Sequence, residues 1–527
     1  MGYRSHFYLF IFVIILMGVL GSLKLAYATT EGVGISPDST IYLGGAKNLH
    51  DKGQFDHPYT DEPITHFPPL YSSILALISS LGLNSATTAR LINLLIYFLT
   101  YILAAIIIFD ITDRSINATL LGSLVIISAN DMLWVHLWAW TEPIFILLGF
   151  SGLYALSKAI DFARFSWLFF SAVLVGLTLI TRYAGIAFFI SCIVSIGLFY
   201  SKKNIDKLKA INMFSIISLL PILFWILRNY FLSETATDRE FQLHFITRDQ
   251  LFQAAETVKG WFITYPVPDR VASITIDSVF LSLSIILIVL VSVSIFTNKG
   301  KSQSGKKFPV LGPILFIFFS AYFGFIIFSI SFMDAYTPLN SRILVPAYFA
   351  IIPVIILILK RFSERLAPSK YAIKIFSTSI ILLVSFIVFL NMIDQLSWVS
   401  KIHQIGLGYN NRIWKTSESV KFIASLPEDI HIISNAPDAL YYLTGRSTIP
   451  IPSKFNPSTQ QDNPDYYQDL ESIQEIFVSQ KARLVIFNNI YRDYLPTEEE
   501  LLDRFHIVKT KTLSDGNLYS YEEGVED

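Results

Sequence analysis

Apolar runs long enough to cross a bilayer recur through the first three quarters of the chain and then stop. A spanning helix needs roughly 20 mostly apolar residues. Runs of that kind lie near 7–28, 90–109, 118–130, 137–157, 166–181, 184–200, 210–230, 276–297, 308–332, 343–359 and 371–391. The pattern predicts about eleven spans, two of them short. After residue 396 the runs give way to short alternating segments with turn residues between them. Ile430–Ile433, Thr448–Ile451 and Leu484–Phe487 are expected to be strands. Helices are expected around 438–443 and 470–480, and a hairpin over 505–521 that turns at Asp515-Gly516. Two polar stretches carry a helical stripe. Ile41, Tyr42, Gly45, Ala46 and Leu49 share one face, and so do Leu251, Ala255, Val258 and Phe262. Both suit amphipathic helices lying on the membrane surface.

Charge sorts the loops. Those at 110–117, 158–165, 201–209, 298–307 and 360–370 hold fifteen Lys and Arg. The short loops of opposite parity hold only Arg182 and Arg342. Positive residues stay cytoplasmic, which puts the N-terminus inside. The first long loop (29–89), the second (231–275) and the whole C-terminal segment then lie outside. Arg4, the apolar run behind it and Ala26-Tyr27-Ala28 also mimic a secretory leader, although Lys24 interrupts the cleavage region. The first loop is outside in either case.

Composition agrees with a membrane protein. Only 15% of the 527 residues are charged and 53% are hydrophobic, against about 25% charged in soluble chains. The net charge of −1 hides an uneven split. Residues 397–527 hold 12 Lys and Arg against 19 Asp and Glu, so the segment before them is basic. Two units are therefore expected, a membrane domain over 1–396 and a soluble α/β domain over 397–527. Neither is basic enough to point to nucleic acid. The single cysteine, Cys192, excludes an intramolecular disulfide and a Cys-based metal cluster. The soluble segment has no Gly-rich phosphate loop and no metal-ligand spacing, and suits a docking or acceptor-orienting role.

Chemistry-bearing residues gather on the outer side. Asp38 follows Pro37 at the start of the first amphipathic stretch, a place where Asp is also a natural N-cap. His66-Phe67-Pro68-Pro69-Leu70-Tyr71 returns the chain to apolar sequence. Trp138-Ala139-Trp140-Thr141-Glu142-Pro143 sets a carboxylate at the mouth of a span, where a helix dipole would also favour it. Arg182, Arg228 and Arg342 sit at outer helix ends, as interfacial residues that snorkel to head groups also do.

An early acid, an amphipathic helix and a Pro-Pro-Leu-Tyr re-entry resemble the multi-spanning GT-C glycosyltransferases. The nearest branch is that of bacterial protein-mannosyltransferase-like and lipid A aminoarabinose-transferase-like enzymes. Arg342-Ile-Leu-Val-Pro346 after Asp334 is similar to a late element of that branch, with Ile343 in place of an aromatic residue. Ser434–Arg446 is similar to the outer domain of bacterial members. Two departures stand out: Ser39 follows Asp38 where many relatives have a second acid, and Phe67 precedes the Pro-Pro where some have Lys.

The resemblance implies a mainly α, polytopic bundle packed around an outward-facing cavity, with an extracytoplasmic α/β domain behind it. It implies an enzyme of the cell (inner) membrane that moves a sugar from a polyprenyl-phosphate donor to a lipid, glycan or protein acceptor. Asp38 would be the general base and Glu142 would position the acceptor or help hold a metal. Arg342, Arg228, Arg182 and His66 would contact the donor phosphate, since arginine offers a bidentate fork to phosphate oxygens. No cofactor follows with certainty, and there is room for a divalent cation. A base on one face of the sugar with phosphate leaving from the other predicts inversion. The rival classes are a transporter or flippase, an oligosaccharide polymerase or ligase, and a glycan-binding assembly protein. No internal repeat or midplane charge supports the first, and the soluble segment and early acid argue against the second.

Overall fold

The computed structural model describes residues 3–60, 62–200, 203–262, 309–366, 370–479, 482–505 and 507–521. Fourteen α-helices among them precede the C-terminal tail. They are α1 (Tyr3–Ala28), α2 (Pro37–Lys52), α3 (Leu70–Ser79), α4 (Ser85–Ile111), α5 (Ile116–Ile127), α6 (Asn130–Leu137) and α7 (Glu142–Phe162). They continue with α8 (Phe165–Leu179), α9 (Ile186–Phe199), α10 (Asn204–Ser233), α11 (Arg248–Gly260), α12 (Leu311–Phe332), α13 (Ser341–Leu366) and α14 (Lys370–Ile405).

Seven of the described helices are long and apolar enough to cross a membrane, so the chain is an integral membrane protein. The run expected at 118–130 falls on α5 and the start of α6, two helices that meet at 51° across a short break. The runs at 166–181 and 184–200 form the shorter apolar helices α8 and α9. The run at 276–297 lies outside the described residues. Aromatic rings fill the centre of the bundle. Phe150 packs on Phe188, Phe318 and Phe349 at centroid separations of 5.2, 5.1 and 4.5 Å, and all four rings are fully buried.

Helix α14 runs on to Ile405, so the compositional break at residue 396 falls inside it. The tail then forms a five-stranded sheet of β1 (Ile432–Ser434), β2 (Ile449–Pro450), β3 (Arg483–Phe487), β4 (Ile507–Thr512) and β5 (Gly516–Tyr521). The order is β2-β1-β3-β5-β4, with β1 parallel to β2 and β3, and β5 antiparallel to β3 and β4. Strands and hairpin fall where the sequence pattern put them.

A short parallel ladder joins the tail to the membrane domain. Gly34 N–H donates to Leu137 O at 2.7 Å, Ala139 N–H to Gly34 O at 2.9 Å, and Tyr409 N–H to Ile35 O at 2.9 Å. Residues 33–35 are thus gripped between the end of α6 and the start of the tail. Helix α2 follows directly and packs against α3 and the tail helix Pro437–Thr444. Tyr42, Leu43 and Ala46 are buried there in one apolar cluster with Leu440 and Phe487. The expected surface-lying helix is therefore clamped between two parts of the protein. Tertiary burial overrides its weak amphipathic stripe. Helix α11 forms as expected, opened by a Thr247–Gln250 capping box, with Leu251 and Phe252 exposed.

Gly408 is the tightest joint of the ladder. Its φ is +54°, and a Cβ there would stand 2.0 Å from Ile35 O. Gly53 has a similar φ of +69° with nothing within 4 Å. Left-handed backbone costs an L-residue roughly 1–2 kcal/mol, so Gly53→Ala should cost about that much. Gly408→Ala should cost clearly more, because it also forces the ladder open. Thermal unfolding of the two purified variants measures the difference, and equal losses would mean that the ladder does not hold the tail.

Candidate active site

Four helix ends meet beneath the tail, each delivering one ionised side chain. Ser36 Oγ accepts from Ser39 N–H and caps α2, with Pro37 as its first residue. The cap that Asp38 might have supplied is therefore already made, and the Asp38 carboxylate is free to point elsewhere. It accepts from Arg342 Nη2 at 2.7 Å. Arg342, in the first turn of α13, also donates from Nε to Glu142 Oε1 at 2.6 Å. The same oxygen takes Arg182 Nη1 at 2.6 Å, and Arg182 also donates to Thr141 Oγ1 at 2.9 Å. Arg182 stands just after α8, and Glu142 opens α7.

Asp38, Arg342, Glu142 and Arg182 thus form one chain of alternating charge that sums to zero. Burial grades along it. Glu142 is almost wholly enclosed, whereas the Asp38 side chain keeps 32% of its surface. Arg342 lies over the Trp140 ring at 4.2 Å, and Trp140 Nε1 donates to the capping Ser36 Oγ at 2.8 Å. The guanidinium is thereby held on a face as well as at its edges.

Burial pushes the Asp38 carboxyl up, and Arg342 more than reverses this, aided by Arg182 and His66. The carboxyl therefore ends below its usual range. Burial lowers His66 and Arg239 lowers it further, against the opposing pull of Asp238 and Asp38. The imidazole is held neutral near pH 7, where an unperturbed histidine is already mostly neutral.

A cavity of about 330 Å³ opens beside this chain. Asp38, Arg182, Arg342 and His66 line it, joined by Tyr42, Tyr183, Tyr322, Arg239 and Asp334. Its rim includes Pro457 and Ser458 of the tail. Ala335 N–H donates to Ser458 O at 2.9 Å and His244 Nε2 donates to Thr459 O at 2.8 Å, so the rim is tied to the membrane domain. Helix α11 steadies the same wall through Gln250 Nε2, which donates to Ala335 O and Thr337 O.

Of the residues singled out in the sequence, Glu142 lies behind this lining and Arg228 stands apart from both the lining and the charge chain. Its guanidinium donates to Ile64 O at 2.7 Å and to Phe55 O at 3.3 Å and packs on Trp225, so it holds the first loop against α10. Three contributors carried little signal in the sequence. Trp140 sat in a motif noted for its acid, Ser36 was overshadowed by Asp38, and Arg239 lies in a polar stretch that reads as solvated loop. Among the described residues, no group of three His, Cys, Asp or Glu side chains is placed to hold a metal ion. The two carboxylates of the site, Asp38 and Glu142, are both bonded to the Arg342 guanidinium.

No protein-family profile and no curated protein sequence matches the chain. Solved structures do match its shape. ArnT from Cupriavidus metallidurans bound to undecaprenyl phosphate superposes over 99% of both chains, with a TM-score of 0.60 at 13% identity. The Archaeoglobus fulgidus oligosaccharyltransferase AglB, in complex with an inhibitory peptide and a dolichol-phosphate, covers 92% of this chain and 70% of its own, with a TM-score of 0.51 at 12% identity. The mycobacterial arabinofuranosyltransferase AftD covers 97% of this chain and 40% of its own, with a TM-score of 0.51 at 12% identity. The chain thus has the fold of the GT-C membrane glycosyltransferases, the group that its outer-loop motifs resemble.

Proposed function

We propose that the protein is a membrane glycosyltransferase that takes a sugar from a polyprenyl-phosphate donor and passes it to an acceptor hydroxyl or amine outside the cytoplasm. The observation that carries this reading is the Asp38–Arg342–Glu142–Arg182 chain on the wall of a cavity at the helix ends. The ArnT and AglB structures, whose fold this chain shares, hold undecaprenyl phosphate and dolichol-phosphate respectively, which supports the same donor class here. The loop charges support an N-terminus in the cytoplasm and a tail on the outer side of the cell membrane.

In this reading Asp38 is the base. It is the one carboxylate of the chain with open surface towards the cavity, and its depressed pKa keeps it ionised. An acceptor oxygen or nitrogen attacks the anomeric carbon, the bond to the donor phosphate breaks with its electron pair going to phosphate oxygen, and the acceptor proton passes to Asp38. Attack opposite the leaving group inverts the anomeric centre. Glu142 is a positioning residue that fixes both guanidiniums by one oxygen. Arg182 and Arg342 supply fixed positive charge beside the developing phosphate, a contribution that preorganised groups make without reorganising. His66 is placed to hydrogen-bond donor or acceptor in its neutral form. Arg228 serves the donor indirectly, by holding the first loop.

Incubation of purified protein with a panel of polyprenyl-phosphate sugars and scoring of released polyprenyl phosphate tests the reaction class. Release from at least one donor is expected, and release from none would refute it. Asp38→Asn should lower turnover about 10²–10⁴-fold, the usual contribution of a positioned base, with little change in melting temperature. Glu142→Gln should lower both, because two buried cations lose their shared counter-ion. A Glu142→Gln protein as active and as stable as the wild type would remove the residue from the site.

The pH profile carries a signed test. Base function needs ionised Asp38, so the acid limb of kcat/KM should lie below the ordinary Asp pKa of about 3.9. In Arg342→Gln, burial is no longer outweighed and the limb should move to higher pH. An acid limb at the same pH in both proteins would separate Asp38 from the rate.

A further inference from the structure

The corner between α5 and α6 is held by side chains from other helices. No Gly or Pro stands between Ile127 and Asp131. Lys24 of α1 donates from Nζ to Ile127 O at 3.4 Å, and Gln395 of α14 donates from Nε2 to Ala129 O at 3.3 Å. Lys24 also donates to Gln395 Oε1, and Asn130 Nδ2 donates to Asp394 Oδ2 at 2.7 Å. Side chains that take the carbonyls of a helix ladder are one of the few causes of a sharp kink. The corner is thus a fixed point, and it decides where the next residue faces.

That residue is Asp131, in the first turn of α6. Trp261 Nε1, just past the end of α11, donates to Asp131 Oδ2 at 3.0 Å, and the Ser341 side chain hydrogen-bonds the same carboxylate. Trp261 in turn packs on the ring of Tyr348, which is fully buried in α13, at 5.4 Å. An acid in a first turn complements the helix dipole wherever it points, but the dipole requires no partner on another helix. Asp131 reaches two, and an ionisable group set among apolar spans is costly to keep.

Ser341 opens α13 and directly precedes Arg342. Its neighbours in that turn are held through backbone atoms. Asn340 Oδ1 accepts from Arg342 N–H at 3.1 Å and from Ile343 N–H at 3.3 Å, and Tyr322 OH donates to Ile343 O at 2.7 Å. Those bonds act close to the helix axis. The Asp131 contact acts on a side chain at the helix surface, one residue before Arg342, and so resists rotation of the turn.

We propose that Asp131 is a positioning residue of the transfer reaction, which sets the rotation of the first turn of α13 through Ser341 and Trp261 and so aims Arg342 at Asp38. The inference rests on the roles given to Asp38 and Arg342 above, and adds to them the α5–α6 corner as the element that orients the pair. The groups that bear on Asp38 are Arg342, Arg182 and His66, and a change at Asp131 alters none of them chemically.

Steady-state transfer by purified full-length variants, followed over pH, tests it. Asp131→Ala should lower kcat/KM by up to about 10²-fold, the cost of a misplacement near 1 Å. Its acid limb should move to higher pH, the direction expected of Arg342→Gln, because a misaimed guanidinium no longer offsets the burial of Asp38. Asp131→Asn keeps an acceptor oxygen for Trp261 and should recover most of the loss. Added to Arg342→Gln, Asp131→Ala should cost nothing further, since the residue through which it acts is already gone. A lowered melting temperature with an unmoved acid limb, or losses that multiply with Arg342→Gln, would make Asp131 a packing residue only and overturn the inference. Wild-type protein that turns over no polyprenyl-phosphate sugar would refute the donor reading and the inference with it, whereas turnover with an unmoved limb in Asp131→Ala refutes the inference alone. If Asp131→Ala does not fold, Ser341→Ala decides in its place, and an unmoved limb in it counts against the inference.

Discussion

One buried carboxylate oxygen organises the site. Glu142 Oε1 accepts from Arg342 and from Arg182 at 2.6 Å each, and those residues arrive from different helix ends. Two guanidiniums cannot be enclosed so close together without a shared counter-charge, because an unpaired buried ion costs several kcal/mol. With Glu142 in place, Arg342 has a fixed direction and its second edge meets Asp38. The geometry of the Asp38 carboxylate therefore depends on an acid that does not line the cavity. Trp140 and Ser36 extend the same logic by fixing the guanidinium face and the α2 cap in one contact.

This arrangement explains why the tail belongs to the site. Asp38 is three residues past Ile35, whose carbonyl accepts from the tail at Tyr409. Helix α2 is packed between α3 and the tail helix Pro437–Thr444. The tail rim at Pro457 and Ser458 then completes the cavity wall. A membrane domain without the tail would keep Glu142 and its arginines but would lose the clamp that aims Asp38.

Much of this was legible in the sequence, for physical reasons. Span-length apolar runs report the bilayer directly, and the alternation in the tail reports its sheet. Asp38, Glu142, Arg182 and Arg342 could be chosen because ionised residues at apolar helix ends are conspicuous. Their pairing was not legible, since it depends on which helix ends meet in space. For the same reason Arg228 and Arg239 could not be told apart. Both are arginines beside the second loop, yet the first is spent on backbone carbonyls and the second lines the cavity. The α2 stripe likewise reads the same whether lipid or protein covers it. The bend between α5 and α6 falls at Ser128-Ala129-Asn130-Asp131, where the sequence pattern simply ends a run, so the helix that follows was not legible.

The central claim is that Arg342 acts on the reaction through Asp38. A double-mutant cycle on the transfer rate tests it most directly, with Asp38→Asn, Arg342→Gln and the pair measured on the same donor. Contacting residues that act as one unit are strongly non-additive. The account predicts that the double variant is no slower than Asp38→Asn alone. Losses that multiply would contradict it, and would mean that the ion pair seen here is not how the two residues serve the reaction.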